Sequence, residues 1–119
     1  MKTVLVVDDS PTIQRTLSFM LRRMGHNALT APNGIEALNQ LEANKIDIII
    51  SDINMPEMDG WTLLTTVRER SDFHHIPIVL LTDSGEWQQD NRNEGADAFL
   101  TKPISSHQLM GKISHLAAD

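Results

Sequence analysis

The segment Asp47-Ile48-Ile49-Ile50-Ser51-Asp52-Ile53-Asn54-Met55-Pro56-Glu57-Met58-Asp59-Gly60 decides the fold of this chain. An uninterrupted β-branched run ends in an aspartate, a turn segment follows, and a helical pattern begins after Gly60. Apolar runs without polar alternation are typical of parallel strands that are covered on both faces. The segment therefore predicts a buried strand whose carboxyl end presents the side chain of Asp52.

The same alternation of short apolar runs and longer helical patterns recurs along the whole chain, giving five strand-helix pairs. Such alternation predicts βαβ units around a parallel sheet, and right-handed crossovers place helices on both faces as a three-layer α/β/α sandwich. The second and fifth strands resemble edge strands. The predicted strands are Thr3–Val7, Asn27–Thr30, Asp47–Ser51, Ile78–Thr82 and Ala98–Thr101.

Helix starts are marked by capping residues. Ser10 followed by Pro11 predicts the start of the first helix, because proline suits the first helical position. Asparagine or serine with Glu or Gln three residues later predicts two further starts, at Asn33 and at Ser105. The buried faces of the first, third and last helices are predicted from apolar residues at helical spacing, namely Ile13, Leu17, Met20, Leu21, Met24, Leu63, Leu64, Val67, Leu109, Ile113 and Leu116.

The fourth predicted helix, across 84–94, differs from the others. Its only large apolar residue is Trp87, and it contains several poor helix formers. Little burial would offset the entropy of ordering it, so a short, partly unwound helix is expected. Trp87 is the better candidate for a partner contact, whereas Trp61 opens the third helix and is expected to be partly packed.

Composition excludes several classes of function. A chain of 119 residues suits one domain, and the absence of cysteine removes a disulfide framework and a thiol nucleophile. The net charge of -6 disfavours a nucleic-acid partner, since DNA binding requires clustered cations. No apolar stretch at the start of the chain suits a signal peptide or a membrane span, so a cytoplasmic location is expected.

Polar residues follow four of the predicted strands. Asp8 and Asp9 come after the first, Asp52 after the third, Thr82 ends the fourth, and Lys102 follows the fifth. In an open parallel sheet the carboxyl ends of the strands form one edge, where ligands bind. Three carboxylates at that edge crowd a negative charge that a cation makes tolerable. The sequence therefore predicts a metal site and phosphoryl chemistry.

These residues and their surroundings resemble the receiver domains of two-component response regulators. The resemblance rests on Val6-Val7-Asp8-Asp9-Ser10-Pro11, on Ser51-Asp52-Ile53-Asn54-Met55-Pro56-Glu57-Met58-Asp59-Gly60, and on Gly95-Ala96-Asp97-Ala98-Phe99-Leu100-Thr101-Lys102-Pro103. It implies a single receiver domain over residues 1–119. It also implies a flavodoxin-like α/β fold with five parallel strands in the order 2-1-3-4-5 and five helices.

The resemblance also implies a role for each site residue. Asp52 would be the phosphoacceptor, taking a phosphoryl group from the phosphohistidine of a sensor histidine kinase or phosphotransfer protein. Asp9, Asp8 through water, an Asp52 oxygen and the main-chain carbonyl of Asn54 would hold Mg²⁺. The Lys102 ammonium and the Thr82 hydroxyl would match the charge on the phosphoryl oxygens. Only self-catalysed phosphorylation and dephosphorylation are implied, so no enzyme activity on other substrates is expected.

In relatives of this type, phosphorylation moves the threonine hydroxyl and turns an aromatic residue of the fifth strand inward. Thr82 and Phe99 stand at those positions, with Phe99 where many relatives have tyrosine. The surface of the fourth helix, fifth strand and fifth helix would then bind a target protein. Asn54, Asp83 and Ser84 flank the site and would tune the phosphoryl lifetime, and Asp83 stands where a small residue is usual.

Other functions remain open on the sequence alone. A constitutive, non-phosphorylated interaction module is compatible with Asp83 beside the site, and the chain could form the receiver part of a larger regulator or phosphorelay. A small aspartyl phosphatase is disfavoured because Asn54 leaves no Asp-x-Asp pair. A flavin carrier is disfavoured by the acidic loop after the first strand. The segment Asp8-Asp9-Ser10-Pro11-Thr12-Ile13 favours the stand-alone chemotaxis or pilus type of regulator.

Overall fold

A computed structural model describes residues 1–83 and 95–116. Within these ranges the chain forms five strands and four helices. The strands are β1 (Thr3–Val7), β2 (Asn27–Ala31), β3 (Ile48–Asp52), β4 (Ile78–Thr82) and β5 (Ala98–Thr101). The helices are α1 (Pro11–Arg23), α2 (Gly34–Ala43), α3 (Gly60–Glu69) and the C-terminal helix α4 (Ser106–Leu116), which corresponds to the fifth predicted helix.

The strands form one parallel sheet in the order β2-β1-β3-β4-β5, which confirms the flavodoxin-like fold and the two edge strands. Three predicted strands have the predicted bounds. The second ends one residue later than predicted, at Ala31, and the third lies one residue later at both ends, with the Asp47 carboxylate accepting from the amide of Thr3 at 2.8 Å just before the strand. The pairing with β1 starts at Ile48.

Two apolar layers hold the sandwich together, one on each face of the sheet. Alternate residues of the central strands point to opposite faces, so Val4 and Val6 pack with α1 and α4 while Leu5 and Val7 pack with α2 and α3. The side chains of β1 and β4 from Val4 to Val7 and from Ile78 to Leu81 are buried. Burial on both faces explains why these strands read as continuous apolar runs.

The predicted caps are present. Ser10 accepts a hydrogen bond from the amide of Ile13 at 3.3 Å, and Asn33 accepts one from Glu36 at 2.9 Å. Ser105 and Gln108 exchange two hydrogen bonds at 3.1 and 3.3 Å, as a capping box does.

The predicted fourth helix, with Ser84 and Trp87, falls in 84–94 and lies outside the described residues. In the described part of the chain, none of the helices is long and apolar enough to cross a membrane.

Candidate functional site

Three carboxylates meet at the carboxyl-end edge of the sheet. β1 and β3 pair with Val7 opposite Ser51, so the chain leaves β1 through Asp8 and Asp9 beside the last residue of β3, Asp52. One carboxylate oxygen from each aspartate lies within 4.8 Å of the other two. Asp8 and Asp52 are buried, whereas Asp9 is exposed. The predicted convergence of these residues is confirmed.

Lys102 brings a cation into this acidic cluster. Its Nζ lies 3.2 Å from Oδ2 of Asp8 and 3.3 Å from Oδ1 of Asp52. The backbone holds the lysine in place, since its amide donates to the carbonyl of Thr82 at 2.8 Å. One ammonium thus serves two buried carboxylates, and the pocket keeps a net negative charge that favours a further cation.

Backbone amides and one side-chain amide fix the two buried aspartates. The amide of Ser10 donates to Asp8 Oδ1 at 2.9 Å, and the amide of Ile53 donates to Asp52 Oδ1 at 2.9 Å. Gln14 Nε2 donates to the main-chain carbonyl of Asp8 at 2.7 Å, which ties α1 to the end of β1. Gln14 was not predicted, because a glutamine within a helix carries no signal of its tertiary partner.

Gly60 allows α3 to begin against the end of β3. Its amide donates to the carbonyl of Ile53 at 2.8 Å. A Cβ at this position would collide with the main-chain carbonyl oxygen of Asp52 and approach the Ile53 Cα to 2.9 Å. A glycine is therefore required here by the close approach of two backbones beside the acidic cluster.

Burial and neighbouring charges shift the pKa values of Asp52 and Lys102. Burial raises the pKa of the Asp52 carboxyl above its ordinary value of 3.8, the Lys102 ammonium opposes that rise, and the Asp8 carboxylate adds to it. Burial lowers the pKa of Lys102, but Asp52 and Asp8 together raise it by more than burial lowers it. The pKa of Lys102 therefore lies above its ordinary value of 10.5. Lys102 therefore stays charged at neutral pH, and Asp52 carries a charge that is unfavourably desolvated.

The cluster is suited to a hard cation. Among residues 1–83 and 95–116, Asp8, Asp9 and Asp52 are the only group of three or more His, Asp or Glu side chains placed closely enough to hold a metal ion. All three offer oxygen, the donor that Mg²⁺ prefers, and the exposed Asp9 opens the group to solvent. The acidic residues present thus fit a metal site.

The remaining predicted residues lie on β4, on β5 and in the loops that follow β3 and β4. Thr82 is half-buried at the end of β4, opposite Thr101 of β5. Phe99 is half-buried and packs beside Trp61, with ring centroids 6.1 Å apart. Trp61 is 8% exposed, so it is more deeply packed than expected. Asn54 and Asp83 are exposed in the loops that follow β3 and β4.

Comparison with known proteins assigns the family. The model of the response regulator receiver domain matches residues 4–114. The chain therefore belongs to the family of response regulator receiver domains, which is a family of signalling domains and not of classical enzymes. The acidic pocket of Asp8, Asp9 and Asp52 fits the phosphoacceptor site of such domains.

Individual relatives agree with this assignment. The chain is 35% identical to protein PilG of Pseudomonas aeruginosa, over 92% of this chain and 83% of PilG. Chemotaxis protein CheY4 of Vibrio cholerae superposes with a TM-score of 0.88 at 36% identity, covering 98% of each chain. Response regulator TrrA of Thermotoga maritima, solved in complex with Mg²⁺-BeF, has a TM-score of 0.89 at 33% identity, covering 98% of this chain and 99% of TrrA.

Some relatives are much longer than this chain. Sensor histidine kinase RcsC of Escherichia coli matches 86% of this chain at 38% identity, but the match covers 11% of RcsC. Receiver domains of this kind thus occur both as small proteins and as parts of large ones.

Proposed function

We propose that Asp52 accepts a phosphoryl group from the phosphohistidine of a sensor histidine kinase or phosphotransfer protein, and that the phosphorylated domain binds a target protein. The observation that carries the proposal is the placement of Lys102 Nζ within 3.3 Å of Asp52 and 3.2 Å of Asp8. This ammonium stands beside the attacking carboxylate, within reach of the phosphoryl oxygens over which negative charge is spread during the transfer.

The transfer conserves atoms and charge. An Asp52 oxygen attacks phosphorus, the new P–O bond forms, and the P–N bond to the donor imidazole breaks. The electron pair of that bond returns to the imidazole nitrogen, which takes a proton from solvent. Lys102 and the Thr82 hydroxyl bind the equatorial phosphoryl oxygens, and the amide of Ile53 orients the Asp52 carboxylate through Oδ1.

A magnesium ion is the cofactor proposed for this step. Asp9, Asp52 and the main-chain carbonyl of Asn54 would bind it directly, and Asp8 would bind it through water. When bound, Mg²⁺ supplies positive charge that offsets the repulsion between the carboxylates and the incoming phosphoryl oxygens. The TrrA relative was solved with Mg²⁺-BeF, which supports the choice of metal.

Thr82 and Phe99 are proposed to carry the conformational change that links phosphorylation to target binding. Thr82 ends β4 and lies opposite Thr101, two residues along β5 from Phe99. A movement of Thr82 toward the phosphoryl group would free space next to the Phe99 ring, which already contacts Trp61. The surface of β5, α4 and residues 84–94 would change and bind the target. Asn54, Asp83 and Ser84 would set the lifetime of the phosphoryl group.

The proposal extends to the organisation and setting of the protein. We treat residues 1–119 as one receiver domain that signals by contact in the cytoplasm, where histidine kinases present their phosphoryl groups. The similarity to PilG and CheY4 supports a chemotaxis-like pathway. A constitutive, non-phosphorylated module and a receiver within a longer regulator are the alternatives.

The test is phosphorylation by a small donor. The protein is incubated with acetyl phosphate or phosphoramidate, with Mg²⁺ or with EDTA, and its intact mass is measured. An adduct that requires Mg²⁺ and disappears in Asp52→Asn supports the proposal, and Asp72→Asn serves as the matched control on the surface. Failure of the wild type to form an adduct while Mg²⁺ binds would support the constitutive module instead.

A further inference from the structure

A groove of about 430 Å³ lies between α1 and the edge strand β2. Its volume falls within the range of about 300 to 1,000 Å³ that suits small-molecule ligands. Five side chains of α1 and one of β2 line it, namely Gln14, Arg15, Ser18, Phe19, Arg22 and Thr30. Among residues 1–83 and 95–116, no acidic side chain lines the groove. The groove therefore presents positive charge on a chain whose net charge is -6.

The two arginines of the groove are exposed and unpaired. Within the described part of the chain, Arg15 and Arg22 form no ion pair with a carboxylate. Arg68 and Arg70, by contrast, each bind a carboxylate, at 2.7 and 2.6 Å. An unpaired guanidinium keeps its planar fork of donors for a ligand, and this fork matches the oxygens of a carboxylate or a phosphate.

Ser18 adds a buried donor between the two arginines. It lies three residues after Arg15 and four before Arg22, so the three residues share one face of α1. Ser18 is 4% exposed, and its hydroxyl is the one buried side-chain oxygen or nitrogen that lacks a hydrogen-bond partner among the described residues. The buried Ser51, by contrast, donates to the carbonyl of Asp52 at 2.9 Å. A buried hydroxyl without a partner is destabilising, and an acceptor oxygen in the groove would supply the missing hydrogen bond.

The number of donors selects the anion. Two guanidinium groups and one hydroxyl offer more hydrogen bonds than the two oxygens of a carboxylate can accept from one side, whereas the terminal group of a phosphate monoester has three oxygens. Metal cations are repelled by the two arginines. An extended nucleic acid is disfavoured because the rest of the acidic chain would repel its further phosphates.

Phe19 indicates what the phosphate is attached to. Its ring lines the groove and is 62% exposed. An aromatic group in the groove would pack against this ring and remove apolar surface from water. A free inorganic phosphate would leave the ring exposed. The groove therefore favours a phosphate carried on an aromatic body.

We propose that the groove between α1 and β2 binds a small aromatic phosphate monoester, of which a nucleoside monophosphate is the simplest example. Its phosphate accepts hydrogen bonds from Arg15, Arg22 and the Ser18 hydroxyl, and its aromatic group packs on Phe19. None of the groove residues belongs to the acidic cluster at the end of β1 and β3. Binding therefore does not depend on phosphorylation of Asp52.

The test is isothermal titration calorimetry at constant ionic strength in the presence of EDTA. Adenosine 5′-monophosphate should bind at one site and at least about tenfold more tightly than adenosine or inorganic phosphate. Arg15→Gln, Arg22→Gln and Ser18→Ala should each weaken that binding by about fivefold or more. Phe19→Ala should reduce the preference for the nucleotide over inorganic phosphate.

Matched controls separate a ligand site from a structural role. Arg70→Gln, Ser114→Ala and Asp52→Asn change an arginine, an exposed helical serine and the proposed phosphoacceptor outside the groove, and should bind like the wild type. Without ligand, Ser18→Ala should melt no lower than the wild type, because it removes an unpartnered hydroxyl.

Three outcomes would overturn the proposal. The first is unchanged nucleotide binding in the Ser18 and both arginine variants. The second is equal affinity for the nucleotide and inorganic phosphate. The third is binding of RNA or of phosphatidic acid vesicles that requires Arg15 and Arg22, with no binding of the free nucleotide.

Discussion

The two edges of the sheet differ in the balance between their positive and negative side chains. At the carboxyl-end edge, two buried carboxylates share the single ammonium of Lys102, and Asp9 adds a third negative charge. At the amino-end edge, Arg68 meets Asp97 at 2.7 Å and donates to three main-chain carbonyls. The second arrangement is balanced and structural. The first leaves an excess of negative charge, which is what a site for a cation and a phosphoryl group requires.

The balanced edge joins four parts of the chain. Arg68, on α3, binds the carbonyls of His74 and Ile76 before β4 and the carbonyl of Gly95 before β5. Asp97 accepts from Arg68 and, at 2.8 Å, from the amide of Ile78. The charges of Arg68 and Asp97 balance each other, so the arrangement fixes the starts of two strands without any added ion.

The largest expected effect comes from removing Lys102, the cation that contacts both buried carboxylates of the unbalanced edge. Lys102→Met should lower the free energy of unfolding by about 3 kcal/mol, because breaking a buried pair leaves uncompensated charge. Added Mg²⁺ should recover much of the loss, since it supplies the missing positive charge. Urea denaturation with and without Mg²⁺ measures both effects. If Mg²⁺ does not restore the lost stability, the edge does not carry the excess of negative charge described here.

Breaking the balanced edge should cost somewhat less and should not respond to metal. Arg68→Ala removes several charge-assisted hydrogen bonds and should lower the free energy of unfolding by roughly 2 kcal/mol, at every Mg²⁺ concentration. Arg68→Lys should recover only part, because an ammonium lacks the planar fork. Arg70→Ala is the matched control, since its partners Glu42 and Asp72 are exposed. An Arg68 variant as stable as the wild type would remove the structural role.

Neutralising Asp52 should stabilise the protein. Asp52→Asn removes a desolvated charge beside Asp8 and should raise the free energy of unfolding by about 1 kcal/mol at pH 7 without metal. Because the folded pKa of Asp52 is raised, this gain is complete above that pKa and shrinks as the pH falls through it toward 3.8. Thermal unfolding of both proteins across this range tests the sign. A gain that grows on acidification would refute it.

The smallest expected effect concerns the loop after β3. Glu57 has a φ of +68°, a left-handed conformation that asparagine tolerates better than glutamate. Glu57→Asn should therefore raise the free energy of unfolding by about 0.5 kcal/mol. The side chain of Asn33 donates to Glu57 at 3.1 Å in an exposed position, so its loss should matter little. A lower melting temperature in differential scanning calorimetry would show that this contact outweighs the backbone strain.

The sequence predicted the residues that lie at strand ends. It did not predict the roles of residues that depend on the distance between two elements of the fold. Asp8, Asp52 and Lys102 could be placed together because the carboxyl ends of parallel strands share one edge. The role of Gly60 follows from how closely α3 approaches the carbonyl of Asp52, a distance that no local pattern encodes. Arg68 was missed for the same reason, since its partners lie up to 29 residues away along the chain.

The most direct test of the unbalanced edge is a Mg²⁺ titration by isothermal titration calorimetry. The wild type should bind one ion, and Asp9→Asn and Asp52→Asn should each weaken binding by about tenfold or more, in line with the loss of a charged ligand. Asp72→Asn, which changes a surface carboxylate near the other edge, should bind like the wild type. Equal affinity in all four proteins would contradict the assignment of the excess negative charge to a cation site.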